Sequence, residues 1–144
     1  MYSILVFFHV ISAIFLGVFL TFPIIIKRLF SQTGQELKTV ITTFLSFTRG
    51  GHYALVLILI TGGWMTMGYS TYPSTEWVII ATLLLALIGA MIGMINTLLK
   101  KILSSEQPEE ILINNRAKLK WYGWCLFLFI IAASFIMTNR GLFA

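Results

Sequence analysis

Four long apolar stretches account for most of the chain. They cover about residues 2–26, 37–67, 77–99 and 121–138, and charged or turn-forming residues separate them. A helix needs about 20 apolar residues to span the hydrocarbon layer, and a helix satisfies its own backbone groups there. Each stretch therefore predicts one membrane-spanning helix. We predict an all-α fold, a four-helix transmembrane bundle with a long second helix, in which residues 1–144 form a single integral membrane domain.

The second stretch has two interpretations. Residues 37–67 contain no proline and are mostly apolar or threonine-rich, but the segment Arg49–His52 interrupts them. One interpretation is a single helix of about 46 Å. The other is an interfacial helix over residues 37–48, followed by a short span that starts at Gly51. Apolar side chains surround too much of residues 37–48 to leave a polar face for the interface, so the single helix is favoured.

The composition predicts that the chain lies in a lipid bilayer, and the distribution of basic residues predicts its orientation there. Of the 144 residues 58% are hydrophobic and 10% are charged, which is typical of a protein that contacts the lipid bilayer. Eight of the ten basic residues fall in the first and third connections, and none falls in the second. The positive-inside rule then predicts that those two connections are cytoplasmic. We expect a multi-pass protein of the cell membrane with both termini outside, and the net charge of +5 gives no indication of nucleic acid binding.

The sequence lacks the residues that several kinds of catalytic or binding site require. The sequence has no glycine-rich phosphate loop, no carboxylate pair and no nucleophile triad, and its five acidic residues lie in loops or at the edges of the spans. A proton relay through Asp or Glu inside the membrane is therefore excluded. The single cysteine, Cys125, lies in an apolar run and is interpreted as core packing.

Both histidines, His9 and His52, fall in or next to apolar spans. An ionisable residue there is costly and is by default a candidate functional site. Small residues share a helical face with each histidine and leave room for a flat porphyrin, whose iron needs an axial histidine. Arg49 lies on the face of His52 and is a candidate partner for heme propionates. The sequence thus predicts a b-type heme site that contains His9, His52 and Arg49, for electron transfer or heme handling.

The depths of the two histidines can be counted in two ways. Measured from Lys27 and Lys38, His9 and His52 lie about 27 Å and 21 Å up their helices. On this count the imidazoles are within about one turn of each other, and one porphyrin fits between them. Measured from Met1 and from the outer end of the second span, the depths differ by about 10 Å.

Other assignments of the histidines remain open. Each can donate a hydrogen bond to a neighbouring helix, with the small residues only allowing close helix contact. A Cu(I) site is a second possibility, since imidazole and thioether groups are suitable ligands. His9 approaches the same outer surface as four methionines: Met1, Met65, Met67 and Met137. Met65 and Met67 are two residues apart and point to different sides of a helix.

The third span carries a candidate surface for helix association. Gly89 and Gly93 form a G-x-x-x-G pattern, which allows two helix backbones to approach closely. The surface serves packing within the bundle, a homo-oligomer or a partner membrane subunit. In the last case the protein is a non-catalytic accessory subunit and its histidines are structural.

The chain also resembles a known superfamily of small four-helix membrane proteins. The similarity covers the layout of all four spans and, in detail, the segment His9–Ser12 followed by Gly17, Pro23 and the basic end Lys27–Phe30, the phrase Thr61–Trp64, and Asn96 before Lys100. The superfamily includes HemJ-type protoporphyrinogen oxidases, CopD copper-resistance domains and uncharacterised predicted integral membrane proteins. The resemblance to the HemJ type implies heme b at His9. Those proteins also use a lysine early in the third helix, and residues 77–85 contain none, so heme binding is the property that the resemblance implies here.

Overall fold

The computed structural model describes residues 1–67 and 73–143. Its elements are α1 (Tyr2–Gly17), α2 (Phe22–Leu29), α3 (Gly34–Met67), α4 (Thr75–Leu103), α5 (Pro108–Asn114) and α6 (Arg116–Thr138), with 3₁₀ turns at Val18–Thr21 and Arg140–Phe143. The four segments Tyr2–Leu29, Gly34–Met67, Thr75–Leu103 and Arg116–Thr138 are long and apolar enough to cross a membrane. The predicted all-α four-helix bundle is confirmed, and the protein is a multi-pass membrane protein.

The first span is interrupted by a 3₁₀ turn just before Pro23. Pro23 has no backbone N–H, so it cannot donate to the carbonyl of Phe19 four residues earlier. The N–H of Phe22 donates to that carbonyl instead, over three residues, and the chain forms a 3₁₀ turn between α1 and α2. The two halves then have different main neighbours: α1 packs along α3, and α2 packs against α6.

The second span is one uninterrupted helix, so the favoured interpretation is confirmed. It has 34 residues, and its length of about 51 Å exceeds the hydrocarbon thickness of about 30 Å. It begins at Gly34, whose φ of +56° is readily adopted by glycine. The backbone N–H of Gly34 donates to the Glu109 carboxylate at 2.7 Å. Glu109 belongs to α5, a short helix in the connection between the third and fourth spans.

The ends of the third and fourth spans lie beyond the predicted positions. Helix α4 continues through Lys100 and Lys101 to Leu103, and α6 begins at Arg116 rather than near residue 121. Hydropathy marks where hydrocarbon ends, but a helix does not have to stop there, because basic side chains extend into the headgroup region.

Close packing between aromatic rings and glycines holds the bundle together. The rings of Phe22 and Phe44 lie 4.5 Å apart, centroid to centroid, where the first span meets α3. A Cβ at Gly51 would lie 2.7 Å from the Phe19 ring, and a Cβ at Gly123 would lie 2.6 Å from Ile26. Only glycine allows these helices such close approach. Large apolar side chains also cover the outside of the bundle, for example at Ile14 and Ile24, and form the surface for lipid.

Candidate functional site

A cavity of about 260 Å³ opens at the end of the bundle that carries both chain termini. We call it the terminal cavity. Its walls are mainly apolar residues of α3 and α4, among them Ile58, Val78, Ala81 and Leu85. Four residues with metal-binding or charged side chains also line it: His9, Met65, Met137 and Arg140. They come from α1, α3, α6 and the last 3₁₀ turn, so the cavity exists only in the assembled bundle.

The imidazole of His9 is oriented by a hydrogen bond to Thr61. The Nδ1 atom of His9 lies 2.9 Å from the Thr61 hydroxyl oxygen. That hydroxyl donates its only proton to backbone carbonyls one turn earlier, with the Leu57 oxygen at 2.6 Å, so it accepts from His9. Nδ1 therefore carries the imidazole proton. Nε2 keeps its lone pair and is the nitrogen available to a ligand or metal.

Gly62 gives this imidazole its space. A Cβ at position 62 would lie 3.3 Å from the Cε1 atom of His9, closer than ordinary van der Waals contact. The Thr61 side chain thus orients the imidazole, and the lack of a side chain at Gly62 leaves space for it. Both residues belong to the phrase Thr61–Trp64, but no pattern in the sequence indicates their contact with His9.

Two of the four methionines considered for copper lie in the terminal cavity. Met65 and Met137 line it together with His9. Met1 and Met67 are 96% and 87% exposed and are not among the lining residues. The separation of Met65 from Met67 follows from helix geometry, since residues two apart point to different sides.

His52 and Arg49 lie elsewhere. Both are exposed on the outward surface of α3, and Nδ1 of His52 lies 2.9 Å from the Thr48 carbonyl oxygen of its own helix, to which it donates. His9 lies level with Thr61, nine residues and about 14 Å along α3 from His52. The expectation that the two imidazoles lie within one turn of each other is wrong, and the count from the outer ends was the better guide.

The physical reason is the direction of helical side chains. Every Cα–Cβ bond leans toward the N-terminus of its helix. Helices α1 and α3 are antiparallel neighbours, so His9 leans toward the end with the chain termini and His52 leans toward the opposite end. The separation between the rings therefore exceeds the separation that residue counting from the basic ends suggests.

Two further contacts near the cavity were not predicted. Arg140, which follows the last helix, lines the cavity with His9. The indole N–H of Trp77 donates to the Ile136 carbonyl at 2.7 Å and joins α4 to α6 beside the cavity. No local pattern signals either contact, because both depend on where the end of α6 meets the other helices.

The glycine pattern of α4 is divided between two environments. A Cβ at Gly89 would lie 3.4 Å from Leu55 of α3, whereas a Cβ at Gly93 would have no neighbour within 4 Å. Gly89 therefore serves packing inside the bundle. The association of a second copy or a partner subunit through Gly93 stays a prediction.

Comparisons of the chain with protein-family models, with curated proteins and with solved structures give no match. Within residues 1–67 and 73–143 no three His, Cys, Asp or Glu side chains group in a way that would hold a metal ion. A metal in the terminal cavity would therefore depend on methionine sulfur as well as on His9.

Proposed function

We propose that this membrane protein binds Cu(I) in the terminal cavity, through His9, Met65 and Met137. The observation that carries the proposal is that one imidazole and two thioethers, from three different helices, line a single cavity. Thioether and imidazole ligands favour Cu(I) over hard cations such as Mg²⁺ and Ca²⁺, which prefer oxygen ligands. The bond between Thr61 and His9 leaves Nε2 as the coordinating atom, in the manner of the outer-shell partners that orient metal-binding histidines.

The size of the cavity supports an ion over a large cofactor. Pockets that enclose drug-sized ligands measure about 300–1,000 Å³, and the terminal cavity measures about 260 Å³. An ion fits inside with its ligands, whereas a porphyrin would be only partly enclosed.

Arg140 favours a second candidate, a b-type heme held at the same cavity for electron transfer or heme handling. A guanidinium beside Cu(I) is repulsive, but it pairs well with a carboxylate. His9 would supply the axial nitrogen, and Arg140 would contact a propionate at the cavity mouth. The iron would supply one-electron chemistry. His52 and Arg49 lie too far from His9 to share this heme, so the bis-histidine arrangement is not part of the proposal.

The orientation that we propose places both termini, and hence the terminal cavity, on the outer side of the cell membrane. Eight basic residues lie in the helix ends at the other end of the bundle, and such basic clusters stay in the cytoplasm. Reporter fusions after residues 72 and 106 test it. We expect the first reporter to be external and the second internal, and the reverse result would overturn the orientation.

One purification distinguishes the two cofactors. The protein is expressed with copper and heme both available, purified in detergent, and examined by metal analysis, visible spectrum and anaerobic competition titration with a Cu(I) chelator. For copper we expect one ion per chain. Met65→Leu and Met137→Leu should each lower the Cu(I) affinity about tenfold or more, and His9→Ala should lower it further. Met94→Leu is the matched control, since Met94 lies on the outer surface of α4.

The other outcomes are equally informative. A Soret band that His9→Ala abolishes and the methionine variants leave in place would replace copper by heme. Retention of neither cofactor would overturn both candidates and favour the accessory subunit with structural histidines.

A further inference from the structure

The middle of α3 presents a polar surface to the outside of the bundle. Arg49, His52 and Tyr53 are all exposed, Tyr53 to 72%. At 100° per residue they occupy one arc of the helix, opposite Gly51, which faces the core. We call these three residues the 49–53 face.

The 49–53 face lies at the depth of the hydrocarbon layer. A Cβ at Gly51 would contact Phe19 at 2.7 Å and Ile92 at 3.5 Å, so the three positions are nearly level. Phe19 lies eight residues, about 12 Å, from the basic end at Lys27, and Ile92 lies 15 residues, about 22 Å, from Trp77 at the other end. Both ends of the membrane are therefore well away from this level.

Nothing in the chain neutralises Arg49 at that depth. The five acidic residues are Glu36, Glu76, Glu106, Glu109 and Glu110. Glu36 is the nearest along α3, and 13 residues, about 20 Å, separate it from Arg49. The others lie at the far end of the bundle or in the connection that contains α5. An exposed guanidinium in hydrocarbon is costly, and such residues normally pair or face a protein interior.

Other exposed polar residues of α3 already have hydrogen-bond partners within their own helix. The hydroxyls of Thr42 and Ser46, exposed closer to the start of the helix, donate to backbone carbonyls one turn earlier at 2.8 and 3.3 Å. Within residues 1–67 and 73–143, no hydrogen bond is formed by the guanidinium of Arg49, the Nε2 atom of His52 or the hydroxyl of Tyr53.

We propose that the 49–53 face binds a transmembrane helix of a partner protein that carries an Asp or Glu at this depth. A carboxylate neutralises Arg49 and accepts hydrogen bonds from the guanidinium and from the Tyr53 hydroxyl. A second copy of this chain is disfavoured, because a symmetric contact centred on the face would bring two Arg49 side chains together. Lipid phosphate at the membrane surface near Lys27 lies about 12 Å along the helices from this level, and the crosslinking experiment below distinguishes it from a partner helix.

Site-specific photo-crosslinking in the native membrane tests the proposal. Benzoylphenylalanine is placed at Val56, which is exposed one turn beyond the face, and in a control protein at Leu128, which is exposed on α6. We expect a crosslink from position 56, and not from position 128, to a span that contains an acidic residue. The crosslinked fraction should fall about tenfold or more in Arg49→Gln and recover in Arg49→Lys.

Charge exchange separates loss of contact from loss of folding. Arg49→Glu should abolish the crosslink, and replacing the partner's acidic residue by Arg should restore it. A crosslink to a second copy of this chain, crosslinks to lipid alone, or a partner span without an acidic residue would each overturn the proposal. An equal yield from wild type and Arg49→Gln would do so too.

Discussion

Replacing Thr61 by valine tests the orientation of His9 independently of any cofactor. Valine keeps the shape of threonine but removes the hydroxyl, and Thr61 is only 4% exposed, so water does not readily replace the lost group. The Nδ1–H of His9 then loses the hydroxyl oxygen that accepts its hydrogen bond. A hydrogen bond contributes about 0.5–1.5 kcal/mol net, and we expect the free energy of unfolding in detergent to fall by about that amount.

The tautomer of His9 is the more specific measurement. In wild type both histidines should carry the proton on Nδ1, His9 because of the Thr61 hydroxyl and His52 because of the Thr48 carbonyl. Nitrogen-15 NMR of histidine-labelled protein in micelles reports the two rings separately. Thr61→Val should move the His9 signal toward the Nε2–H form and leave His52 unchanged.

Thr61→Ser is the matched control, because it keeps the hydroxyl and loses one methyl group, worth about 0.8 kcal/mol. It should retain the His9 tautomer. If Thr61→Val left the His9 signal unaltered, or if Thr61→Ser changed it equally, the contact would not orient the ring. Should the protein bind Cu(I) as proposed, Thr61→Val should also weaken binding by about 10- to 100-fold.

Three further substitutions test the packing of the bundle, each by unfolding in detergent. Gly51→Ala should lower the free energy of unfolding by about 1–3 kcal/mol, because the new Cβ would lie 2.7 Å from the buried Phe19 ring. Gly93→Ala has open space around its Cβ and should leave that free energy unchanged or raise it by up to about 1 kcal/mol. Equal effects of the two substitutions would contradict the close approach at Gly51. Trp77→Phe should lose about 0.5–1.5 kcal/mol with its 2.7 Å hydrogen bond to α6, and no loss would contradict that bond's role. Glu109→Gln should lose about 0.3–1 kcal/mol at low salt and less at high salt, because the carboxylate lies at the N-terminus of α3.

The sequence was sufficient for the spans because hydrophobic length is a property of each segment alone. It was insufficient for their ends, because Lys100, Lys101 and Arg116 continue helices outside the hydrocarbon. The 3₁₀ turn before Pro23 leaves no mark in the hydropathy of the span, and α5 was missed because its seven residues carry no strong periodicity.

The candidate site was predicted in its residue types and only partly in its arrangement. His9, Met65 and Met137 were all considered, and they do line one cavity. The pairing of His9 with His52 failed because it relied on counting along separate helices, and the lean of side chains on antiparallel helices widened the separation. Thr61 could have been identified from its spacing, since it shares a helical face with Met65 four residues later.

The 3₁₀ turn before Pro23 also determines how far α2 is rotated about the helix axis relative to α1. A 3₁₀ turn advances about 120° per residue and an α-helix about 100°, so residues 18–21 add about 80° of rotation. The buried residues Leu16, Phe19 and Phe22 are spaced by three, and a chain that advances 120° per residue returns every third residue to the same side. Inserting a single residue into Val18–Thr21 would rotate α2 by about 100–120° and turn Phe22 away from the core, while leaving the hydropathy of the span unchanged.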